Sequence, residues 1–385
     1  MNDAFTPVLA RPRLTQFIWR AREPFILSKL YVVGVLQGEG VGPEVVPAAL
    51  RQLAILREHS SRRFEIHEDG EIGLPAKASS GQSLSPAVTE FVSDVYRMNG
   101  ALFCGPGGER FVYDLRRTFD LFCEFTPLEP LPELRDSGVL RPEIVASADI
   151  VAVRESLGGV AQGEWATEID ENGFATATDG FKYTEDSVLR ILSVALELAA
   201  SRRKRLHVVL KPGETPSISM LWRECTERLA PKYDVEIVEQ AMNNAVYQLI
   251  ADPGQFDVIL SPNMFGDVLA DCGSLLLASR GLSYSGNFNG EGNAVYQAGH
   301  GAARDIGGRH VANPIGQILA LGMMLRESFN WGDADSALRR AVRDTLREGF
   351  RTRDIAMPGC QILGTGAFTS RIEHNLSLLL RDHKI

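Results

Sequence analysis

The sequence FDVILSPNMFGDVLAD at residues 256–271 contains a strand, a turn and a helix in immediate succession. Its first five residues are an apolar run typical of a buried strand, residues 261–263 indicate a turn, and residues 264–271 begin a helical pattern. Asp267 and Asp271 are four residues apart, so both carboxylates leave the same face of that helix, one turn apart. Stacked carboxylates after a strand are ligands suited to a hard divalent cation. The stretch therefore predicts a metal site at Asp267 and Asp271.

Short apolar runs like this one alternate with helical patterns along most of the chain. The clearest runs are at residues 30–36, 101–104, 149–153, 206–210 and 256–260. Such alternation predicts an α/β fold with a largely parallel sheet. No Pro- or Ser-rich linker marks a domain boundary. Two lobes would therefore have to share the sheet or exchange strands.

Composition narrows the class of protein. The 385 residues are 44% hydrophobic and carry a formal net charge of -9, which fits a globular protein and disfavours binding to nucleic acid. Five scattered cysteines without a CxxC motif suit a reducing compartment. No apolar run approaches the roughly 20 residues that a membrane span needs, and the N-terminus lacks the pattern of a secretory signal. We therefore expect a cytoplasmic protein with no membrane partner.

Charged residues follow several of the predicted strands. Arg154 and Lys211 end two of these runs, Arg116 lies on a predicted helix, and Asp267 and Asp271 follow the run at 256–260. Ligands of open α/β sheets bind at the carboxyl ends of strands. Each charge taken alone is more often a solvated surface group, but the set together suits a small acid chelated to a metal. We therefore predict that these five residues form one site.

Two glycine-rich segments remain. The segment GEGVGPEV at residues 38–45 follows the first strand, and taken alone it is a weak indication of nucleotide binding because its spacing is not GxGxxG. The segment HGAARDIGGRHVANP at residues 300–314 is rich in small and polar residues, which predicts an ordered surface loop. Loops of that kind often carry binding sites.

Three segments together, VLQGEGVGPEV at 35–45, NMFGDVLAD at 263–271 and the loop at 300–314, resemble the isocitrate/isopropylmalate dehydrogenase family of metal-dependent β-decarboxylating dehydrogenases. The resemblance runs from about residue 30 to 380. It implies an isopropylmalate-dehydrogenase-like fold of two α/β lobes, which is not a Rossmann fold. It also implies an N-terminal extension at 1–29, a large cofactor-binding domain at 30–122 and 278–385, and a central domain with the dimer interface at 123–277. Members form homodimers or larger homo-oligomers with shared active sites.

The resemblance also implies roles for single residues. Asp267 and Asp271 match the ligands of Mg²⁺ or Mn²⁺, and Asp267 is thereby also a catalytic residue. Arg116 and Arg154 match arginines that bind the substrate carboxylate. Lys211 matches the catalytic lysine that takes part in removing the hydroxyl proton, and it would come from the partner subunit.

The cofactor is implied in the same way. His300, Gly301, Asp305 and Asn313 match positions that hold the adenosine half of NAD. Asp305 would accept hydrogen bonds from the ribose hydroxyls and would repel the extra phosphate of NADP. Arg304 stands where the family usually has proline and could pair with that phosphate, which weakens the preference for NAD.

Several positions depart from the family pattern. In VRESLGGVAQG at 153–163, Ala161 stands where a tyrosine protonates the product after loss of CO₂. Thr126 replaces a third substrate-binding arginine, and Glu124 replaces an asparagine. Asn243 replaces an aspartate donated across the dimer, while Arg110 lies in the segment that distinguishes substrates. We count Thr126, Asn243 and Arg110 among the predicted substrate-binding residues.

These departures leave three hypotheses open. The first is NAD-dependent oxidation of a non-standard malate-type 2-hydroxy acid, with or without decarboxylation. The second is a non-redox, metal-dependent isomerase or lyase on the same scaffold. The third is a non-catalytic regulatory subunit. Losing an arginine and gaining a carboxylate at 124 further indicates a substrate with fewer acid groups than isocitrate, or with a cationic or polar group.

Overall fold

A computed structural model of the protein describes residues 13–19 and 30–382. The strands in chain order are β1 (Leu30–Leu36), β2 (Arg63–Glu68), β3 (Ala101–Cys104), β4 (Cys123–Leu128), β5 (Ile150–Glu155), β6 (Trp165–Ile169), β7 (Ala175–Asp179), β8 (Arg205–Leu210), β9 (Glu236–Ala241), β10 (Val258–Ser261), β11 (Tyr284–Phe288), β12 (Ala294–Ala298), β13 (Phe350–Arg351) and β14 (Gln361–Ile362). The helices are α1 (Gly42–Glu58), α2 (Leu74–Ser80), α3 (Pro86–Arg97), α4 (Phe111–Thr118), α5 (Pro142–Val145), α6 (Glu185–Ser201), α7 (Pro216–Leu229), α8 (Met242–Ala251), α9 (Asn263–Gly273), α10 (Ile315–Glu327), α11 (Gly332–Arg347) and α12 (Thr365–Asp382).

One ten-stranded sheet dominates the described part of the chain, in the order β2-β1-β3-β12-β11-β4-β5-β10-β8-β9. Six neighbouring pairs are parallel, and only the three pairs around β11 and β4 are antiparallel. The α/β class and the largely parallel sheet are therefore confirmed. In this sheet the five strands from 123–277 lie together as β4-β5-β10-β8-β9, and the other five strands form the other half. The division into two lobes with these boundaries stays a prediction.

The antiparallel centre of the sheet was not predicted from the sequence. Strand β4 has the sequence CEFTPL, in which Glu124, Thr126 and Pro127 interrupt the apolar pattern, although all six residues are buried. Strands β11 and β12 form a hairpin whose sequences YSGNF and AVYQA are also rich in small or polar residues. Their neighbours in the sheet stabilise them more than their intrinsic propensity does.

Two helices differ from the sequence prediction. The predicted helix that carries Arg116, expected from the sequence to cover residues 114–122, is α4 at Phe111–Thr118. The chain turns soon afterwards at Asp120, which has a φ of 49°. The helix α12 was not predicted at all, although Phe368, Ile372, Leu376 and Leu380 recur at helical spacing and are buried. That spacing is the signal that would have identified α12.

Helix α9 is oriented by its apolar residues. Strand β10 is entirely buried, and the helix that follows it buries Phe265 and Leu269 in the core beneath. Because the buried positions are about one turn apart, the opposite face carries Asp267 and Asp271 towards solvent. Their side chains are 53% and 50% exposed. The predicted display of two carboxylates on one helix face is present.

A short segment of the predicted N-terminal extension packs against the domain. Leu14–Phe17 form a 3₁₀ turn, and Leu14 and Phe17 are buried in the main core. Thr15 donates hydrogen bonds from its amide and its hydroxyl to Glu327, whose carboxylate is fully buried at the end of α10. The rest of the predicted extension at 1–29 lies outside the described residues.

Among the described residues, no helix is both long enough and apolar enough to cross a bilayer.

Candidate active site

Two buried arginines and one buried glutamate form the centre of the site. Arg116 on α4 and Arg154 on β5 both donate to the same oxygen of Glu124 on β4, at 2.8 and 3.3 Å. Arg116 also donates to the side-chain oxygen of Asn287 on β11, at 2.8 Å. The structure therefore brings the two predicted substrate arginines together, and Glu124 joins them.

The register of the sheet explains why Glu124, Arg154 and Asn287 lie side by side. Glu124 lies opposite Arg154 on β5 and opposite Asn287 on β11, so the three side chains form one row across three strands. Directly opposite residues on one face of a sheet have Cβ atoms about 5 Å apart. Thr126 is two residues further along β4, so it is on the same face as Glu124, and it is buried. Thr126 is uncharged, although the family pattern has a substrate-binding arginine at this position.

Arg154 is also held from the side of α9. Both its Nε and one terminal nitrogen donate to the side-chain oxygen of Asn263, at 3.0 and 2.7 Å. Asn263 is fixed in turn, because its amide group donates to the carbonyls of Ser156 and Gly158. At Gly266 an added Cβ would lie 2.8 Å from the Arg154 side chain, so glycine lets the arginine pass under the helix. Arg154 is thus preorganised before any ligand binds.

Arg154 connects this centre to the acidic pair. Its guanidinium contacts Asp267 at 2.5 Å, and Arg280 contacts Asp271 at 2.6 Å. Partial burial is the main cause that raises the pKa of Asp271, and the nearby charge of Asp267 adds to it, while Arg280 opposes both. Two carboxylates that repel each other in this way are a favourable place for a divalent cation.

The oxygen ligands that Asp267 and Asp271 offer suit a hard cation. In each of the two carboxylates, only Oδ1 contacts an arginine. No group of three or more His, Cys, Asp and Glu side chains suited to a metal occurs within the described ranges 13–19 and 30–382. Mg²⁺ is commonly held by one or two carboxylates, with water and substrate oxygens completing its shell. The two aspartates are therefore a fitting but incomplete set, which substrate oxygens would complete.

Lys211 and Asn243 are at the same end of the sheet but outside this cluster. Lys211 follows β8, which pairs with β10, and its Nζ lies 3.2 Å from Glu214. Asn243 is exposed near the start of α8, after the edge strand β9. The predicted roles of Lys211 and Asn243, and the expectation that they come from the partner subunit, stay predictions.

Arg110 lies where the predicted substrate-distinguishing segment meets the turn around Ala161. Its guanidinium donates to the Ala161 carbonyl at 3.2 Å, pairs with Asp114 at 3.3 Å and covers the ring of Trp165 at 4.3 Å. The ring of Tyr113 is 5.6 Å from the Arg110 guanidinium and 6.0 Å from that of Arg116. An aromatic and cationic wall therefore borders the arginine centre on this side.

The loop at 300–314 packs against the two glycine-rich turns. Glu39 accepts hydrogen bonds from Arg304 at 2.8 Å and from the amide of Gly108, and it is almost fully buried. Gly40 has a φ of 61°, and a Cβ there would lie 1.8 Å from the carbonyl oxygen of Ala302. Glycine at position 40 is therefore required for the turn and the loop to meet.

The predicted cofactor residues occupy different environments in this loop. Asn313 is buried, donates to Asp354 at 3.0 Å and accepts from the amide of Ile315, the first residue of α10. His300 donates from Nδ1 to the Gly301 carbonyl at 2.9 Å, and burial, with a smaller effect from Arg280, lowers its pKa. Asp305 and Gly301 are exposed. Because Arg280 also pairs with Asp271, the loop and the acidic pair are neighbours.

Several residues of the site were not assigned a role from the sequence. Glu124 was noticed only as a departure from a pattern, and nothing in its neighbours indicated that it bridges two arginines. Asn287 and Arg280 carry no sequence signal, since each is a single polar residue in an ordinary segment. Glu39 lies within the glycine-rich turn, where a buried carboxylate could have been suspected.

Comparison with known proteins identifies the family of the chain. A model of the family described as isocitrate/isopropylmalate dehydrogenase matches residues 32–372. The chain is 35% identical over 365 residues to 3-isopropylmalate dehydrogenase of Aquifex aeolicus (strain VF5), covering 91% of this chain and 98% of that protein. It is 37% identical over 345 residues to 3-isopropylmalate dehydrogenase of Pseudomonas fluorescens (strain Pf0-1), covering 86% and 94%.

A solved structure shows the same similarity. The crystal structure of isocitrate dehydrogenase from Methylococcus capsulatus matches with a TM-score of 0.79 at 26% identity, covering 90% of this chain and 99% of that one. The predicted resemblance and fold class are confirmed, and the protein is an oxidoreductase that acts on a CH–OH group. With its family model matched over most of its length, the chain belongs to the isocitrate/isopropylmalate dehydrogenase family.

Proposed function

We propose that the protein oxidises a malate-type 2-hydroxy acid, with NAD as the hydride acceptor and Mg²⁺ or Mn²⁺ as the metal. One observation carries the proposal. The guanidinium of Arg154 contacts Glu124 at the arginine centre and Asp267 of the acidic pair, so groups that bind an anion and groups that bind a cation share one site. A 2-hydroxy acid offers a carboxylate and a hydroxyl to such a site.

Different residues of the chain would bind the substrate, orient it and remove its hydroxyl proton. Arg116 and Arg154 hold the carboxylate, because a planar guanidinium matches a carboxylate with two parallel hydrogen bonds. Asn263 keeps Arg154 oriented before binding, which reduces the entropy lost when substrate arrives. Lys211 of a second copy takes part in removing the hydroxyl proton.

Asp267 and Asp271 would hold the metal ion, which when bound supplies Lewis-acid polarisation of the substrate oxygens. The loop at 300–314 would hold NAD. Ala161 has no proton to donate, so after any loss of CO₂ the proton has to come from water or from another residue.

The preference for NAD over NADP is supported by the pairing of Arg304. Its guanidinium is committed to Glu39 at 2.8 Å, so it is already neutralised when a cofactor arrives. Asp305, next along the loop, is exposed and adds a negative charge that a ribose phosphate would meet. Both features favour ribose with free hydroxyls.

A homodimer with shared sites is supported by exposed apolar side chains around the acidic pair. Val268, next to Asp267, is 43% exposed, and Met264, one turn earlier, is 44% exposed. Tyr247 on α8, the helix that packs against α9, is 67% exposed. Large apolar side chains gathered on neighbouring helices are typical of an interface.

The proposal is tested by following NADH formation with a panel of malate-type acids and Mn²⁺. Asp271→Asn should lower both Mn²⁺ affinity and the rate by at least about 100-fold, because even changes beyond the ligands themselves cost about 10–100-fold. Calorimetric titration with Mn²⁺ measures the affinity separately from activity. Asp120→Asn is the matched control, since that exposed carboxylate pairs with Arg190 away from the site.

Three results would contradict the proposal. NADH could form equally well without a divalent metal, or Asp271→Asn could match the wild type. Conversion of a hydroxy acid without NAD would instead identify an isomerase or lyase.

A further inference from the structure

Helix α4 places a tyrosine, Tyr113, beside the turn that carries Ala161. The side-chain amide of Gln162 donates to the Tyr113 carbonyl at 2.8 Å, and Arg110, just before α4, donates to the Ala161 carbonyl at 3.2 Å. These two hydrogen bonds join the start of α4 to the turn. Tyr113 and position 161 are therefore neighbours in space, although they are far apart in sequence.

The phenol ring of Tyr113 lies beside the arginine centre. Its centroid is 6.0 Å from the guanidinium of Arg116 and 5.6 Å from that of Arg110. Burial opposes the charged form of Arg154, but Glu124 and other acidic groups, Tyr113 among them, raise its pKa. A negative charge on the Tyr113 oxygen is therefore within electrostatic reach of both arginines that are proposed to hold the substrate carboxylate.

The hydroxyl of Tyr113 has no hydrogen bond within residues 13–19 and 30–382, which is unusual for a tyrosine of this chain. Among the described residues, six of the eight tyrosines have a hydroxyl hydrogen bond, namely Tyr31, Tyr96, Tyr183, Tyr233, Tyr284 and Tyr296. The eighth, Tyr247, is exposed on α8. The Tyr113 hydroxyl is therefore available to a ligand at the arginine centre.

Tyr183 is the other phenol near Arg154, and it is less suited to proton transfer. Its hydroxyl accepts from the amide of Asn263 at 2.7 Å, and burial raises its pKa well above the ordinary value. A phenol with a raised pKa gives up its proton less readily. Tyr113 is thus the better candidate for a proton donor.

We propose that Tyr113 is the general acid that protonates the substrate carbon after CO₂ is lost. The C–C bond to the leaving carboxylate breaks, its electron pair stays on an enolate, and the hydroxyl proton of Tyr113 moves to the enolate carbon. The phenolate that remains lies beside Arg110 and Arg116, whose positive charges favour it, and it then takes a proton from water. This inference rests on the proposed function and adds a catalytic residue to it.

The reverse of this proton transfer can be measured without oxidation. Malate, 3-methylmalate and 3-isopropylmalate are first tested for NADH formation with NAD and Mg²⁺. The probe is the 2-oxo acid that matches the fastest of them, which is pyruvate, 2-oxobutanoate or 4-methyl-2-oxopentanoate. In D₂O with Mg²⁺ and NADH, a Tyr113 phenolate would remove a proton from the carbon next to the carbonyl and return a deuteron, which proton NMR follows.

Wild-type protein should catalyse this exchange, and Tyr113→Phe should slow it at least about 100-fold, since a positioned general acid contributes about 10²–10⁴-fold. Single-turnover NADH formation should be unchanged in the variant, because Tyr113 acts after hydride transfer. Calorimetric titration with the oxo acid and Mg²⁺ should show unchanged binding, which separates proton transfer from affinity. Thermal melting checks the fold of the variant, which lacks only one oxygen.

Tyr233→Phe is the matched control. Tyr233 is half-buried, as Tyr113 is, and its hydroxyl bonds to Glu197 at 3.3 Å. It precedes β9, which is parallel to β8, so it lies at the end of the sheet opposite the carboxyl ends of these strands. Tyr233→Phe should exchange deuterium at the wild-type rate.

The possible failures are distinct. If none of the three acids gives NADH, the proposed function is wrong and the role of Tyr113 falls with it. If NADH forms but wild-type protein does not exchange deuterium, or if Tyr113→Phe exchanges as fast as the wild type, the role of Tyr113 is overturned and the proposed function stands. If Tyr113→Phe loses exchange only because the oxo acid no longer binds, Tyr113 is a binding residue and not the acid.

Discussion

The side chain of Arg154 links residues from three elements of the fold. It starts on a buried strand, it is fixed by Asn263, and it contacts carboxylates from β4 and α9. Burial opposes its charge, but Glu124 and Asp267 raise its pKa above the ordinary value. A guanidinium held this firmly gives an incoming carboxylate a defined orientation, and its ion pairs link Glu124 to Asp267 of the acidic pair.

A second buried carboxylate, Glu155, leads to a prediction about pH. Glu155 ends β5, is fully buried and accepts the amides of Leu157 and Gly158. Burial raises its pKa from 4.5 to about 7, and the two amide donors oppose this only partly. Between these values the unfolded chain releases a proton that the folded protein keeps, so the free energy of unfolding falls as pH rises.

Glu155→Gln should remove that dependence. Relative to the variant, the wild type should lose up to about 3 kcal/mol of stability between pH 4.5 and 8. Urea unfolding at a series of pH values measures the difference, and Glu164→Gln, an exposed counterpart, should show no such trend. Parallel curves for Glu155→Gln and the wild type would show that Glu155 titrates normally.

At the scale of elements, the turn before α1 and the loop at 300–314 depend on each other. The amide of Val41 donates to the carbonyl of Ala302 at 2.9 Å, and Gly40 approaches the same carbonyl too closely for any side chain. The predicted cofactor loop is therefore positioned by a turn about 260 residues earlier in the chain.

Gly40→Ala should displace that loop and raise the KM for NAD about tenfold or more, since misplacing a binding element by about 1 Å can cost two orders of magnitude. Gly81→Ala is the control, because Gly81 also has a positive φ but has open space at its Cβ. It should cost about 1–2 kcal/mol of stability and leave KM unchanged. Equal KM values for the two variants would argue against the close contact at Ala302.

The segment at 13–19 is a second element whose importance comes from its packing. It supplies two hydrogen bonds to the Glu327 carboxylate and buries Leu14 and Phe17. Without it, Glu327 would keep Arg326 as a partner but would lose its other donors. A buried acceptor left without a partner costs about 1–3 kcal/mol.

Removing residues 1–19 should therefore lower the free energy of unfolding by at least about 3 kcal/mol, of which lost apolar burial is the larger part. Removing only residues 1–12 keeps the packed turn in place and is the comparison that isolates the contribution of residues 13–19. Both truncations can be compared by urea unfolding of the otherwise complete chain. Equal stability of the two would mean that the turn contributes nothing.

At the scale of the whole molecule, the proposed sharing of sites can be tested by mixing inactive variants. Lys211→Ala and Asp267→Asn chains should each be inactive as homodimers. In a mixed dimer, one site would combine an intact Asp267 from one copy with an intact Lys211 from the other. Random re-association should therefore restore about a quarter of wild-type activity, because half of the dimers are mixed and each has one working site.

The control is a mixture of Lys211→Ala with a Lys211→Ala, Asp267→Asn double variant, which contains no complementary pair. It should stay inactive. Native mass spectrometry can confirm that subunits have exchanged between dimers. If the first mixture stays inactive after that exchange, Lys211 acts within its own chain.

Much of the fold could be predicted from the sequence, because its parallel strands are short apolar runs with clear helices between them. The predicted residues Asp267 and Asp271 could be found for the same reason, as both belong to one helix whose periodicity fixes their relative position. The motifs at 35–45 and 300–314 were also local enough to be recognised.

The antiparallel centre of the sheet could not be found in this way. Strands β4 and β11 carry polar residues at buried positions, so their sequences do not resemble core strands. They become strands because neighbours on both sides satisfy their backbone groups, and the contact between β4 and β11 joins segments that are far apart in sequence.

The sequence by itself therefore determined the α/β class, the family and the individual chemical groups available at the site. Only the tertiary structure decided that Glu124 lies between Arg116 and Arg154 and that Arg304 is paired with Glu39. The physical reason is that periodicity within a helix or strand fixes positions over a few residues, whereas the pairing of charges from different elements depends on strand order and register. Those are set by the packing of the entire sheet.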